Sequence, residues 1–384
     1  MGVPTIRSKF PNMGTNIFTA MNALASEHNA INLAQGFPNF PCSEKLVSLV
    51  NDYMKKGFNQ YCPMPGAPLL REAIAEKINY IYDRSYSPDT EINVTPGGHA
   101  ALMAAIASVI HPGDEVIIFE PAFDCFAPIV ELNGGVPVYV ELTPPDYKIP
   151  WDEVAAKVSN KTKAIIINTP HNPSGTVLAE SDMQSLISIV KKTDIVVISD
   201  EVYEHLIFDG LKHQSVIRYP ELAERSFAIY SFGKVYHVTG WKIGYVVAPK
   251  ELMAEFRKCY QMMTFTVNHP IQLAIAEFLK DRDGYLTLPD FYQKKRDFFL
   301  DRIKGSKFDF VPAKGTYFQS LSYSKLQDLG DMDAAIWLAK NAKVGTVPMS
   351  AFYHNNAEHK VVRVCFAKTE DVLEQAAERL FLVK

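Results

Sequence analysis

The sequence predicts an α/β fold: a mostly parallel β-sheet flanked by helices, followed by a smaller α+β domain. Three observations predict it. Between about residues 90 and 260, short runs of β-branched residues, apolar on both faces, alternate with helix-like segments. After about residue 275 the alternation gives way to a long amphipathic helix, strand-like runs and a final helix. With 384 residues, 47% of them hydrophobic, the chain can fill a sizeable core and form more than one domain.

In chain order, the first 40 residues are rich in Pro, Asn and Gly, and INLAQGFPNFPC reads as an extended segment, so residues 1–40 are expected to form an arm. EINVTPGG precedes the helical HAALMAAIASVI, DEVIIFEP precedes DCFAPIVELNG, and KAIIINTPHNPSG precedes ESDMQSLISIVKKT. DIVVISDEVY, FAIYSFGK and KIGYVVAP complete the strand-like runs. In such sheets ligands collect beyond the carboxyl ends of the strands. LPDFYQKKRDFFLDRIKG is a helix, FDFVPAKGTYFQSL holds two strand-like runs, and HKVVRVCFAK a third. The expected division is an arm over 1–40 that belongs with the small domain, a large domain over 41–275 and a small domain over 276–384.

Composition narrows the chemistry. A net charge of -4 gives no polycationic field, which disfavours nucleic acid or an anionic membrane as partner and points to small molecules. The five cysteines, odd in number and without a Cys-x-x-Cys pair, argue against a disulfide framework or a structural zinc site. No run approaches the ~20 apolar residues of a membrane helix, and the N-terminus lacks a signal-peptide core, so the cytoplasm is the expected location. Gly233-Lys234 is followed by Val235, and Ala228 replaces the earlier glycine, so no Walker loop is present. His-Glu-x-x-His, Gly-x-Ser-x-Gly and Gly-x-Gly-x-x-Gly are missing too, and no metal site is expected.

Several runs end in polar residues at the edge where such sheets bind ligands: Asp200 and Tyr203 after IVVIS, Asn172 in the loop after AIIIN, and Lys234 after FAIYS. Singly, each has an ordinary explanation as a cap, a turn or a solvated lysine. Together they meet the needs of an aldehyde cofactor. A lysine amine condenses with an aldehyde, and burial among Phe232, Tyr236 and Trp241 lowers its pKa. An aspartate under a pyridine nitrogen keeps that nitrogen protonated. A phenol and an amide serve the ring oxygen. The TPGGHAAL turn offers free N–H groups at a helix start for a phosphate, with Ser231 and Lys242 as further donors.

These stretches, in the order QGFPNFPC, NQYCPMPGAPLLREAI, EPAFDCF, NTPHNPSGT, SDEVYEH, SFGKVYHVTGWKIGY and VVRVCFAK, resemble the class I and II pyridoxal-phosphate aminotransferases of fold type I over nearly the whole chain. The resemblance is greatest to the branch with kynurenine aminotransferase, glutamine transaminase K and bacterial methionine aminotransferase. It implies a seven-stranded sheet, pyridoxal 5'-phosphate as cofactor, and Lys234 as both its attachment point and the proton carrier. By the same resemblance Asp200 pairs with the pyridinium, Tyr203 and Asn172 bond the ring oxygen, and Phe123 stacks on the ring. Gly98, His99, Ser231 and Lys242 hold the phosphate, and Tyr61 reaches the phosphate of the neighbouring subunit in a homodimer. Arg363 clamps the substrate carboxylate as a planar fork beside the Gly36 backbone. Two positions depart from the family pattern. His237 stands where a small or aliphatic residue is common, and Lys242 replaces a more frequent arginine.

For the substrate side chain, Phe18, Phe37 and Tyr61 make an aromatic, uncharged entrance that suits an apolar, thioether or aromatic amino acid, with methionine first. Ejection of a leaving group from Cβ makes cysteine-S-conjugate β-lyase chemistry an alternative, as is kynurenine- or glutamine-type transamination. A non-catalytic effector sensor requires a DNA-binding module, and the first 40 residues hold no helix-turn-helix pattern or basic patch.

Overall fold

The structure, a computed structural model, describes residues 5–11, 13–326 and 328–383. Strands β1 (Ile92–Thr95), β2 (Glu115–Glu120), β3 (Val136–Glu141), β4 (Thr162–Asn168), β5 (Val196–Asp200), β6 (Ser226–Ser231) and β7 (Gly244–Val247) form one sheet. Their order is β1-β7-β6-β5-β4-β2-β3. Every pairing is parallel except the two made by β7, which runs against both neighbours. The fold is therefore the expected α/β class, with a mostly parallel seven-stranded sheet. The apolar runs of β4 and β5, with Ile165, Ile166, Ile167, Val197 and Ile198 inaccessible to solvent, lie between helical layers and have no polar face to show.

Strand β3 has no counterpart among the runs read from the sequence. It is the edge of the sheet, partly exposed along most of its length, and carries Pro137. A proline and a half-wet pattern are tolerated at an edge, and they hide the strand from a search for buried runs.

A second, antiparallel sheet holds β8 (Phe318–Ser322), β9 (Val347–Pro348) and β10 (Val361–Cys365) in the order β9-β10-β8, with Arg363 opposite Ser320. Helices Leu288–Ile303 and Glu370–Phe381 pack against one another. Of the two strand-like runs in FDFVPAKGTYFQSL only the second is a strand. The first is reduced to an isolated bridge between Asp309 and Ser322.

The N-terminal segment is less extended than its composition suggests. Residues Ile17–Glu27 form a helix whose N-cap, Asn16, accepts from the Phe18 N–H at 2.9 Å. Ile31–Asn32 then pairs in parallel with Val344–Gly345, which ties this segment to the C-terminal part of the chain. No described helix is long and apolar enough to cross a membrane.

Candidate active site

Strand register gathers the polar residues. Asn168 lies opposite Asp200 across β4 and β5, and Ser231 and Thr95 lie on either side of Gly244 across β6, β7 and β1. The chain segments leaving Thr95, Asn168, Asp200 and Ser231 thus share one edge of the sheet. Gly244 lets two of them close together, because a Cβ there would sit 2.5 Å from the Tyr230 carbonyl oxygen and 3.3 Å from Gly97 Cα. At this edge is a cavity of about 190 Å³. Its wall takes in Gly98, His99, Phe123, Asn172, Asp200, Tyr203, Ser231, Lys234 and Lys242. Gly97, Leu102, Val202, Gly233, Thr239 and Ile243 complete it without having been assigned a role from the sequence.

One end of the cavity is a helix N-terminus. The 12-residue helix Gly98–Val109 starts after Gly97, whose φ of 83° favours glycine, and no side chain caps it. Its free N–H groups and dipole favour an anion. A Cβ on Gly97 would lie 3.4 Å from the Lys242 ammonium, so that ammonium stands directly beside the turn. Lys242 is exposed, not enclosed by the aromatic residues around it in the sequence, because its left-handed backbone (φ 53°) turns it out of the apolar layer. His99 is exposed as well, and desolvation together with Lys242 lowers its pKa against the opposing pull of Asp124.

At the other end are three charged groups with no ion-pair partner among the described residues. Asp200 is 4% exposed, and burial raises its carboxyl to about 7, although the Val202 N–H at 3.3 Å and Lys234 pull the other way. Burial lowers Lys234 to about 8, opposed by Cys365 and Asp200 and helped by Lys242 and Arg363. Its ammonium donates to the Tyr317 hydroxyl at 2.9 Å and lies over the rings of Tyr203 and Tyr317. Arg363, 1% exposed, is brought down to about 10 by burial. It donates to Asn172 Oδ1 at 2.7 Å and the Ala34 carbonyl at 3.3 Å, and its Nε has no acceptor.

Around Arg363 the rings of Phe318, Phe352 and Phe18 lie 3.9, 4.9 and 5.2 Å from the guanidinium carbon. Phe18 is carried by the helix that Asn16 caps, and the Asn16 amide also donates to Asp124 at 2.6 Å, next to Phe123 on the cavity wall. Gly36 is close by. Its carbonyl accepts from the Tyr317 hydroxyl at 2.7 Å, and a Cβ on it would collide with Phe318 at 2.6 Å.

None of the three aromatic residues of the expected entrance, Phe18, Phe37 and Tyr61, lines this cavity within the single chain. Phe37 is 39% exposed under the Lys368 ammonium, and Tyr61 is 81% exposed against Phe265, away from the wall of this cavity. His237 packs edge-on against Phe40 and Tyr292 outside the cavity. Tyr317, Phe318, Phe352 and Asp124 were not anticipated. The glycine-aromatic run Gly315-Thr316-Tyr317-Phe318 was the available signal for two of them.

Comparison with known proteins places this arrangement. Residues 28–380 match the family model described as aminotransferase class I and II. The methionine aminotransferase of Escherichia coli strain K12 is 46% identical over 97% of both chains, and human kynurenine–oxoglutarate transaminase 1 is 32% identical over 93% of both. A crystal structure of Escherichia coli YbdL, for which a methionine aminotransferase function was identified, superposes with a TM-score of 0.97 at 46% identity, covering 98% of this chain and 99% of that one. N-succinyldiaminopimelate aminotransferase from Mycobacterium tuberculosis gives 0.95 at 34% identity, over 99% and 100%. The chain belongs to the class I and II aminotransferases, and it is a transaminase.

Proposed function

We propose that the protein uses pyridoxal 5'-phosphate to transfer the amino group of an apolar, thioether or aromatic L-amino acid, methionine first, to a 2-oxo acid. The observation that carries this reading is the set of Lys234 and Asp200 on the wall of one cavity, with Arg363 behind it bonded to the wall residue Asn172, each charged group without an ionic partner among the described residues. The residues fit the cofactor. Asp200, a carboxyl held up at about 7 by burial, suits a protonated ring nitrogen, and the open helix start with Ser231 and Lys242 suits a phosphate. When bound, the cofactor supplies an aldehyde for the amino group and a ring that withdraws electrons from Cα.

The chain's own residues do the rest. The N–H groups of Gly98 and His99, the Ser231 hydroxyl and Lys242 hold the phosphate, and Phe123 covers one ring face. Tyr203 and Asn172 serve the ring oxygen. The Arg363 fork, with Nε free, fixes the substrate carboxylate and so the direction of the Cα–H bond. Lys234, lowered to about 8, has a far larger share of neutral amine near physiological pH than an ordinary lysine, and that amine takes the proton from Cα and returns it. Phe18, partly exposed beside Arg363, offers an aromatic face to the side chain, which suits a thioether.

The same reading divides the chain into an arm (1–40), a large domain (41–275) and a small domain (276–384). It is supported by the strands of the seven-stranded sheet all falling between Ile92 and Val247, and by the pairing of Ile31–Asn32 with Val344–Gly345. It includes a homodimer in which Tyr61, exposed in a single chain, reaches the neighbouring site. It also includes a cytoplasmic location, with which five free thiols agree.

The test is a panel of amino acids scored for keto-acid release. Methionine and aromatic donors are expected to give the highest kcat/KM and aspartate the lowest, and Lys234→Ala abolishes turnover. A preference for dicarboxylates, or full activity in the Lys234 variant, refutes the reading.

A further inference from the structure

We propose that Tyr317 is a positioning residue that holds the Lys234 amine whenever that amine is free, and so favours the aminated form of the cofactor over the aldehyde form. This rests on Lys234 being the attachment point. Tyr317 is fully buried and central to an aromatic cluster, with ring centroids 5.1 Å from Tyr203, 4.9 Å from Phe318 and 5.9 Å from Tyr292. A phenol owns one hydrogen, and that of Tyr317 goes to the Gly36 carbonyl at 2.7 Å. It therefore offers Lys234, 2.9 Å away, only a lone pair.

The direction of that bond matters. A neutral amine has two hydrogens and one lone pair. If Tyr317 donated to Lys234, it would occupy the lone pair needed to take a proton from Cα. By accepting an N–H it leaves that lone pair free and limits the rotation of the amine.

The Gly36 carbonyl is itself fixed. Buried Lys368 donates to the carbonyls on either side of it, Phe37 at 2.8 Å and Gln35 at 3.3 Å. Two runs of donors thus converge on the Gln35–Phe37 turn, Lys368 from one side and Lys234 through Tyr317 from the other. Joined to the aldehyde carbon, the Lys234 nitrogen keeps at most one hydrogen and is tethered to the cofactor. The Tyr317 bond then weakens, and Tyr317 stabilises the two forms of the enzyme unequally.

Tyr317→Phe keeps the ring and removes the acceptor. Equilibrium dissociation constants for pyridoxal phosphate and pyridoxamine phosphate, measured by fluorescence titration of cofactor-stripped protein, read the effect without turnover. The bond is already made in the stripped protein and is kept with pyridoxamine phosphate, so its removal predicts roughly five- to tenfold tighter binding of pyridoxal phosphate, with pyridoxamine phosphate little changed. A variant that shifts both forms equally, or neither, overturns the proposal, since a purely structural role does not discriminate. Failure of the parent protein to bind either form overturns the cofactor reading. A wash-out rate of α-deuterium from methionine that equals the parent rate in Tyr317→Phe also counts against it, because a freely rotating amine slows proton transfer.

Discussion

The six residues Asp200 to His205 carry buried charge in two directions, and the two sides are built on opposite terms. On the side away from the cavity, Glu204 is paired with Lys77 and accepts from the Tyr82 hydroxyl at 2.8 Å, while Lys77 also donates to Tyr245. Burial pushes the Glu204 carboxyl up, yet Lys77 and His205 outweigh it and hold it well below the usual carboxylate range. Glu201 is equally engaged, with Ser199, the Val216 N–H and His213 around it. On the cavity side, Asp200 has one long backbone hydrogen bond, and burial raises it to about 7. A charge that only supports the fold is given its partners within the chain. Where the partner has to be a ligand, the charge is left without one and desolvation dominates its pKa.

Breaking the satisfied side gives the largest expected effect on stability. Glu204→Gln leaves the Lys77 ammonium buried and unpaired, and urea unfolding is expected to show a loss of about 3–5 kcal/mol. A loss below about 1 kcal/mol would mean that solvent reaches this cluster and that the contrast is false. Asp200→Asn is expected to behave in the opposite way. It costs the cofactor-stripped protein little or no stability at pH 8, yet kcat falls on the order of 10²-fold.

Next in size is Arg363→Lys, which replaces a planar fork by a point charge. KM for the amino acid is expected to rise about 10- to 100-fold, more than kcat falls, through loss of one charge-assisted hydrogen bond. An unchanged KM would remove Arg363 from the substrate carboxylate.

The pH dependence of the cofactor-stripped protein sharpens the comparison further. Asp200 is raised from 3.8 to about 7, so between these values the folded chain holds a proton that the unfolded chain has released. Its contribution to stability falls as pH rises through that window. Lys234 is lowered from 10.5 to about 8, so between 8 and 10.5 the unfolded chain holds the extra proton, and stability rises with pH there. Thermal melts should show both slopes, and Asp200→Asn and Lys234→Met should each flatten one. The smallest effect is expected from Asn16→Ala, about 1 kcal/mol for a lost helix cap. It is checked by a modest rise in KM for bulky donors as the Phe18 helix loosens.

Much of the sheet was legible because residues buried on both faces form unbroken apolar runs, as in AIIIN and IVVIS. The polar residues that end those runs drew attention to Asp200, Asn172 and Lys234 for the same local reason. Strand β3 escaped because an edge strand with Pro137 lacks that pattern. The reversal of β7 escaped because strand direction is set by connections and neighbours, and not by composition. The aromatic setting of Arg363 escaped too, since Phe18, Phe318 and Phe352 come from three separate parts of the chain.

What this sequence determined by itself is the alternation of strands and helices and the kind of chemistry its polar residues can perform. Both are short-range properties, written in side-chain type and spacing over ten or so residues. Only the tertiary structure decided which charges are partnered. Lys77 finds Glu204 across 127 positions, and Lys234 finds Tyr317 across 83. Whether a buried charge is satisfied depends on distances that sequence separation does not encode, so the difference between a structural charge and one held ready for a ligand appears only once the chain is folded.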